Sequence, residues 1–334
     1  MKNHFLVFVL FGFSTAVLAQ KTTYDSLFQV ARHSADRAVK SRALFEAGFA
    51  LVAWKPFPGD SVAAFAGHLK NIFPGKNLPE DVQALVLLLE SKAALTSGEH
   101  ESGLMKAQAA KKTFEKTGAQ RALTAANRLI IHCYSALGQA AEAIQLAQDV
   151  LEAATAARDT PLIADMYMAL GHDMVTTRQF DEAEDYHRQA LALCRNDARK
   201  VALVQFHLGN LYLHSARFDS AAVIFEKAVS GYHLVGDSAG ASVTAMQLCS
   251  VWIMLQKPEK AEPWCEMAMQ YFDHNPDQYR RAIALTYMAQ QKTLEGKFEQ
   301  AVEYAGKARE VGEKTNNPDI LVKTHMILAN AFSA

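Results

Sequence analysis

The chain has 334 residues, half of them hydrophobic and 21% charged, with only 17 Gly and 9 Pro. This composition provides enough apolar side chains for a large buried core and too little Gly and Pro for extensive disorder. The 34 Lys and Arg nearly balance the 35 Asp and Glu, and no basic block stands out. The charge therefore gives no electrostatic basis for binding nucleic acid or an acidic membrane surface.

The N-terminus has the three-part layout of a secretory signal peptide. Residues 1–4 are basic, residues 5–18 are apolar, and small residues precede Gln20. The alternative is an uncleaved membrane anchor. However, the apolar run of 14 residues is shorter than the roughly 18–20 residues that a membrane-spanning helix needs. We therefore expect residues 1–19 to be cleaved off after Ala19 and the mature protein to be exported, to the periplasm or the extracellular space.

The segments that follow are predicted to be helical. Residues 20–40 predict an N-terminal helix, and residues 41–54 and 61–72 predict a helix pair around the break at Pro56 and Pro58. From Asp81 onward amphipathic helices follow one another in pairs, and a small residue recurs on every second helix. These residues are Gly103, Ala143, Ala183, Ala221, Ala261 and Ala301, at intervals of 40, 40, 38, 40 and 40.

A second row of small or slim residues lies seven positions later on the same helices. It consists of Ala110, Val150, Ala190, Ala228, Ala268 and Ala308. The residues expected opposite the first row are mostly small too, Gly171 and Gly209 among them, with Ile131 as the exception. Two helices approach to about 8–10 Å only where the side chains at the crossing are small. The two rows therefore predict antiparallel helix pairs stacked in a repeat array.

Short polar linkers precede the first helix of each later pair. Asp159, Asp197, Asp237 and Asp277 stand where a helix N-cap is expected, and Asn317 stands before Pro318. An N-cap side chain accepts a hydrogen bond from an exposed N–H of the first turn, and a Pro at the first position has no N–H to satisfy. These linkers therefore predict where the helices begin.

These features resemble a tetratricopeptide repeat (TPR) array, over about residues 41–334. The best matches are Leu170, Gly171, Phe180, Ala183 and Ala190, and then Leu208, Gly209, Asn210, Leu211, Tyr212, Phe218, Ala221, Phe225 and Ala228. The resemblance implies an all-α fold, a right-handed α-solenoid of antiparallel helix pairs. We expect about seven hairpins and a final unpaired helix at residues 320–332. The spacing of 38–40 residues exceeds the family period of about 34, so the helices or linkers are longer here.

The resemblance also implies a peptide or protein segment bound on a concave surface lined by the first helices. Hydrogen-bonding residues recur there at one outward site: Lys92, His132, His172, Asn210, Ser250, Gln290 and Asn330. A mostly apolar row lies one turn earlier: Leu88, Arg128, Met168, Phe206, Met246, Thr286 and Met326. A bound chain could pair its backbone with the polar row and place side chains on the apolar row. The alternative is a solvated polar face.

From these two rows we predict a groove that binds a partner. Its candidate residues are Lys92, Arg128, His132, Met168, His172, Phe206, Asn210, Met246, Ser250 and Gln290. Some TPR families clamp a terminal carboxylate with a Lys, Asn and Arg set. Because Phe206 stands where a Lys would be expected, we do not predict that mode of binding.

The remaining chemistry-bearing residues point to no reaction. Cys133, Cys194, Cys249 and Cys265 all fall in helical patterns, which favours buried free thiols, although Cys249 and Cys265 could be bridged across one hairpin. His132, His172 and Asp173 suggest a metal site, but no third ligand recurs at metal spacing, so we predict neither metal nor cofactor. No nucleophile elbow, no phosphate-binding glycine loop and no Cys/His pair at nucleophile spacing is present in the sequence. Glu182, Glu184 and Asp185 are expected to form a charged helix face. We therefore do not expect an enzyme.

Two functional hypotheses remain open at this point. The first is an exported scaffold that binds a peptide or protein segment in the groove. The second is the sensory ectodomain of a two-component or transcriptional signalling protein, because exported bacterial TPR regions of this kind often precede a membrane helix and a histidine kinase or DNA-binding domain. Self-association is compatible with both, and membrane contact is expected only through an anchor beyond residue 334. The apolar last helix lacks the polar outer face of a cap, which favours a longer protein.

Overall fold

The structure is a computed structural model. It describes residues 43, 45, 46, 66, 67, 69, 78–275, 277–314 and 318–333. The predicted signal peptide, the predicted N-terminal helix at residues 20–40 and most of the first predicted helix pair lie outside the described residues. The few described residues before residue 78 are helical.

Thirteen helices are described between residues 80 and 333. They are α1 (Glu80–Ser97), α2 (His100–Thr117), α3 (Gln120–Ala136), α4 (Ala140–Ala156), α5 (Thr160–Thr176), α6 (Phe180–Leu193), α7 (Ala198–His214), α8 (Phe218–Leu234), α9 (Ser238–Met254), α10 (Pro258–Phe272), α11 (Gln278–Leu294), α12 (Phe298–Lys314) and α13 (Pro318–Ser333). The described residues contain no β-strand. The all-α prediction is therefore confirmed.

The contacts divide the chain into two compact units, Met1–Thr177 and Arg178–Ala334. In the first unit each of the helices α1 to α5 packs against the next, and in the second unit the same holds for α6 to α13. Within each unit, the first helices of neighbouring pairs also contact each other. For example, α1 contacts α3, and α9 contacts α11. Each unit is thus a stack of helix pairs, which is the predicted solenoid class.

The predicted rows of small residues form the buried crossings of these pairs. Every described member of the first row is buried, and the members of the second row are no more than 7% exposed. Among the described glycines, the tightest site is Gly209 of α7, where a Cβ atom would lie only 2.5 Å from two ring carbons of Phe225 on α8. Phe225 is itself fully buried. Glycine is therefore required at this crossing by the space that the phenyl ring occupies.

The turns between helices repeat a single backbone geometry. One residue in most turns has a positive φ: Gly98, Gly118, Gly138, Arg158, Arg178, Ala216, Gly236, Gln256 and Gly296. No described residue of the turns after α6 and after α10 has a positive φ. Helix α6 has 14 residues where its neighbours α5 and α7 have 17. This shortened helix explains the single interval of 38 residues in the row of small residues.

The predicted N-caps are confirmed. The carboxylates of Asp159, Asp197, Asp237 and Asp277 each accept a hydrogen bond from the backbone N–H three residues later, at 2.9–3.1 Å. Because the first N–H groups of a helix have no partner within the helix, each aspartate fixes one helix start. Asn317 lies outside the described residues.

The expectation of four free thiols was wrong for two of them. Cys249 on α9 and Cys265 on α10 form a disulfide, with their Cα atoms 5.2 Å apart. Both lie on the facing sides of this hairpin, with Cys249 at the position that Gly209 and Ala289 occupy in the neighbouring pairs. Close packing thus brings the two sulfur atoms together. Cys133 and Cys194 are free and buried.

None of the described helices is both long enough and apolar enough to cross a lipid bilayer.

Candidate functional site

In the first unit, the predicted groove residues lie on α1, α3 and α5. His132 and His172 are exposed, Lys92 and Arg128 are half-buried, and Met168 is only 7% exposed. Residues 128 and 132, like residues 168 and 172, are one turn apart on one helix face. The two histidines therefore offer polar surface on successive first helices, while Met168 offers little surface to a partner.

Arg128 also connects two of these helices. Its Nη2 atom lies 3.1 Å from Oδ2 of Asp165 on α5, and the aspartate side chain is only 12% exposed. The guanidinium group is thereby held on the first-helix face, since both partners are partly shielded from water. A ligand that approaches this face meets the arginine in a fixed position.

In the second unit, the predicted residues lie on α7, α9 and α11. Phe206, Asn210 and Gln290 are half-buried. The amide oxygen of Asn210 accepts a hydrogen bond of 3.3 Å from Nε2 of Gln247 on α9. The centroid of the Phe206 ring lies 6.0 Å from that of Phe225, and Phe206 packs against the core. Asn210 and Gln247 form a small amide pair that links α7 to α9.

Two predicted residues of this unit are buried instead of lining a surface. Met246 is 7% exposed and packs in the core, and Ser250 is 3% exposed. The Ser250 hydroxyl donates to the carbonyl oxygen of Gln247 at 2.7 Å. Its hydrogen-bonding capacity is thus used within the protein. On α9, a partner can therefore reach less surface than the predicted polar and apolar rows implied.

A buried carboxylate lies directly behind the row of the first unit. Asp173 on α5 is fully buried, and its Oδ2 accepts a hydrogen bond of 3.0 Å from the Ser135 hydroxyl on α3. Its Oδ1 has no hydrogen-bond partner among the described residues. Burial raises the pKa of this carboxyl above its ordinary value, and the Ser135 bond and the nearby His172 oppose that shift only in part.

We expect Asp173 to make the protein lose stability as the pH rises. A carboxyl whose pKa is raised by folding binds its proton more tightly in the folded state, so its stabilising effect is full below the unfolded pKa of about 4 and declines above it. Relative to Asp173→Asn, the wild type should therefore become less stable between acidic and neutral pH. Urea unfolding of both proteins over that range measures this difference, and a difference that stays constant with pH would contradict it.

A second buried carboxylate corrects a further sequence interpretation. Glu184 on α6, expected on a charged helix face with its neighbours, is only 8% exposed. It accepts hydrogen bonds from Tyr212 Oη at 2.8 Å, Arg217 Nη2 at 2.9 Å and Arg188 Nη2 at 2.7 Å. Burial alone would raise the pKa of Glu184, but these hydrogen bonds and positive charges hold it below the ordinary value. The cluster joins α6 to α7 and to the turn before α8.

An equivalent cluster joins α10 to α11. The side chain of Lys292 is 7% exposed. Its Nζ atom lies 2.8 Å from Oε1 of Glu262 and 3.2 Å from Oε2 of Glu295. Burial opposes the charge of Lys292, yet the two carboxylates raise its pKa above the ordinary value. Glu184 and Glu262 each follow an alanine of the first small row, and the partners Tyr212 and Lys292 each lie three residues after a first-helix crossing site. This shared register is present in the sequence, but neither cluster was predicted from it.

Two shallow grooves lie away from the predicted rows. One, of about 470 Å³, is bounded by α2, α3 and α4, and includes Gln108, Tyr134 and Glu142. The other, of about 440 Å³, lies between α6 and α7, and includes Arg188, Arg195 and Val201. Neither contains a candidate groove residue. Within the described part of the chain, no three His, Cys, Asp or Glu side chains cluster closely enough to hold a metal ion.

Comparisons with known proteins agree with this geometry. The family model described as "Tetratricopeptide repeat" matches residues 121–196 and 162–233. Among curated proteins no sequence match is found. A Rap protein solved with competence and sporulation factor is 11% identical with a TM-score of 0.66, over 95% of this chain and 98% of that one.

Two further solved structures share the fold. The Rap conjugation gene regulator of plasmid pLS20, in complex with the Phr* peptide, is 14% identical with a TM-score of 0.58, over 94% of this chain and 93% of that one. A tetratricopeptide repeat protein from Parabacteroides merdae is also 14% identical, with a TM-score of 0.52 over 93% and 99% of the two chains. At these identities the likeness concerns the fold alone. Residues 121–233 thus match tetratricopeptide repeats, and the stacked helix pairs and buried small-residue crossings of the chain are similar to that fold.

Proposed function

We propose that this protein is an interaction scaffold that binds a peptide or protein segment on the face formed by its first helices. The observation that carries the proposal is the polar row itself. At one register position, His132 and His172 are exposed on first helices of the first unit, and Asn210 and Gln290 are half-buried on first helices of the second unit. Such a row can pair with the backbone of an extended chain, since each side chain donates or accepts hydrogen bonds.

The comparisons support the same class of partner. Two of the similar solved structures are Rap proteins in complex with a signalling factor or a peptide. Stacked helix pairs provide an extended surface within each unit, which suits a chain segment better than a small molecule. We accordingly propose a protein or peptide as the partner and no catalytic reaction.

A peptide selected from a random display library against the wild-type chain provides the test. We expect its affinity to fall roughly tenfold, about 1.4 kcal/mol, in Phe206→Ala/Asn210→Ala or in His132→Ala/His172→Ala, depending on which unit the peptide occupies. The matched control is Val223→Ser, an exposed position on the second helix α8. Fluorescence anisotropy measures the affinities, and circular dichroism verifies that each variant is folded. Unchanged binding in both double variants would contradict the proposal.

Export is a separate proposal about the location. Its support is the leader pattern of residues 1–19 and the Cys249–Cys265 disulfide, because disulfides persist in oxidising compartments outside the cytosol. A sensory role within a larger signalling protein extends the same proposal, and it rests on the resemblance of the exported repeat array to such ectodomains.

A further inference from the structure

The groove between α6 and α7 combines positive charge with an apolar floor. Its volume is about 440 Å³, and the residues that line it are Arg188, Leu191, Ala192, Arg195, Val201 and Gln205. The two arginines are the charged members of this set, and no carboxylate of the lining balances them. Asp185, three residues before Arg188, does not line the groove. Charge therefore distinguishes this α6–α7 groove from a plain apolar face.

The charged and apolar residues follow a simple order along the groove. Leu191 and Ala192 lie between Arg188 on α6 and Arg195, which belongs to the turn after that helix. Val201 adds a second half-buried apolar side chain from α7. At 1.5 Å per residue, the Cα atoms of the two arginines are roughly 10 Å apart. The order is thus positive, apolar, positive.

The polar side chains of the groove retain donors for a ligand. Arg188 uses its Nη2 atom for a hydrogen bond of 2.7 Å to Oε1 of Glu184, and its side chain is 65% exposed. This bond holds the guanidinium group in place and leaves most of its five N–H groups accessible. Within the described part of the chain, the Arg195 side chain has no ion pair and the Gln205 side chain has no hydrogen bond.

The groove bounded by α2, α3 and α4 lacks this combination. Its lining carries both signs of charge, with Lys111 as well as Asp149. Its amide side chains are used within the protein, since Gln108 Nε2 donates to Tyr134 Oη at 3.2 Å and Gln145 Nε2 donates to Asp149 Oδ1 at 2.9 Å. The α6–α7 groove is therefore the one suited to a ligand of a single charge sign.

We propose that the α6–α7 groove binds an acidic segment of another protein in an extended conformation. Side chains i, i+2 and i+4 of an extended chain point to one side and span about 13 Å. Carboxylates at i and i+4 then pair with Arg188 and Arg195, whose long side chains cover the difference from 10 Å. An apolar side chain at i+2 lies on the floor between them, and Gln205 pairs with the backbone of the segment.

The expected affinity is modest. The groove is shallow and its arginines are exposed, and an ion pair in contact with water contributes little. We expect a Kd of about 10–100 µM at low ionic strength. Added salt should weaken binding, because exposed charges are screened. This site is independent of the proposed surface on the first helices, since the two share no residue.

A fluorescein-labelled peptide tests the proposal. It carries glutamate at i and i+4, leucine at i+2 and serine elsewhere, and fluorescence anisotropy measures its affinity. Arg195→Gln should weaken binding roughly fivefold, and a peptide with both glutamates replaced by glutamine should bind more weakly still. The matched control is Lys227→Gln, which removes an exposed positive charge from α8 and should bind like the wild type. No binding below about 1 mM, or equal losses in the two variants, would overturn the proposal.

A charge exchange and a competitor identify the ligand more closely. Of two peptides with lysine at i or at i+4, one should bind Arg195→Glu more tightly than it binds the wild type, because the ion pair is restored with opposite signs. The absence of such a gain would contradict the assignment of Arg195. If tripolyphosphate displaces the labelled peptide at a lower concentration than the unlabelled peptide does, the groove is a simple anion site and the peptide is the wrong ligand. None of these results bears on the display-selected peptide, which tests the first-helix face separately.

Discussion

Replacing Gly209 with alanine is expected to lower the free energy of unfolding by about 3 kcal/mol, near the upper end for overpacking a core. The added methyl group would lie 2.5 Å from two ring carbons of Phe225, far inside van der Waals contact. The ring is fully buried and packs in the core of the second unit, so it has no free space in which to move. Helices α7 and α8 must separate instead, which disturbs the whole hairpin.

A second helical glycine provides the matched control. No atom lies within 4 Å of a Cβ built at Gly306 on α12, so Gly306→Ala should stabilise the protein by up to about 1 kcal/mol through helix propensity. Urea unfolding followed by circular dichroism measures both variants. Repeat arrays can unfold in several steps. The urea midpoint of the step that each substitution shifts should therefore be compared with the midpoint of the same step in the wild type. Equal effects of the two substitutions would show that the crossing is not closely packed.

Removal of the Cys249–Cys265 disulfide is the second large effect that we expect. The bridged residues are 16 positions apart, and closing a loop of about that length in the unfolded chain is worth about 3 kcal/mol in the chain-entropy model. Cys249→Ala/Cys265→Ala should therefore unfold at a lower denaturant concentration than the oxidised wild type. The variant should still fold, because buried alanines, Ala289 and Ala305, occupy the equivalent positions of the α11–α12 hairpin.

Two comparisons isolate the contribution of the bridge. Reduced wild type should approach the stability of the double variant, since only the covalent link is lost. The second comparison is Cys133→Ala, which removes a buried free thiol. Reduction should lower the denaturant concentration at which this variant unfolds by the same amount as in the wild type. If oxidised and reduced wild type unfold at the same denaturant concentration, the expectation is wrong.

The architecture was predictable because close helix crossings tolerate few residue types. Gly103, Ala143 and Ala221 repeat at nearly fixed spacing, and each is buried where the rows indicated. The N-cap aspartates were equally readable, since a helix start leaves N–H groups that only certain side chains can satisfy. Local rules of this kind act on one helix or one crossing and need no knowledge of the rest of the fold.

The candidate groove was harder to predict because exposure depends on what several helices cover together. Ser250 occupies the register of the exposed His132 and His172 and is nevertheless buried, while Met246 is buried like Leu88 and Met168 at its own register. Glu184 looked like a solvated charge because its partners Tyr212 and Arg217 come from a later helix and its turn. The disulfide depended on two cysteines at opposite sites of one crossing, which the spacing allowed but did not require.

The disulfide also gives the array an uneven response to mechanical tension. It links the two helices of a single hairpin, α9 and α10, and leaves the joints between hairpins uncrosslinked. A pulled chain could straighten its other hairpins completely, while the 16 residues from Cys249 to Cys265 would stay closed. At about 3.4 Å per residue, roughly 55 Å of contour length would thus be withheld from extension. The bridge therefore keeps this hairpin closed while the other hairpins of the chain extend.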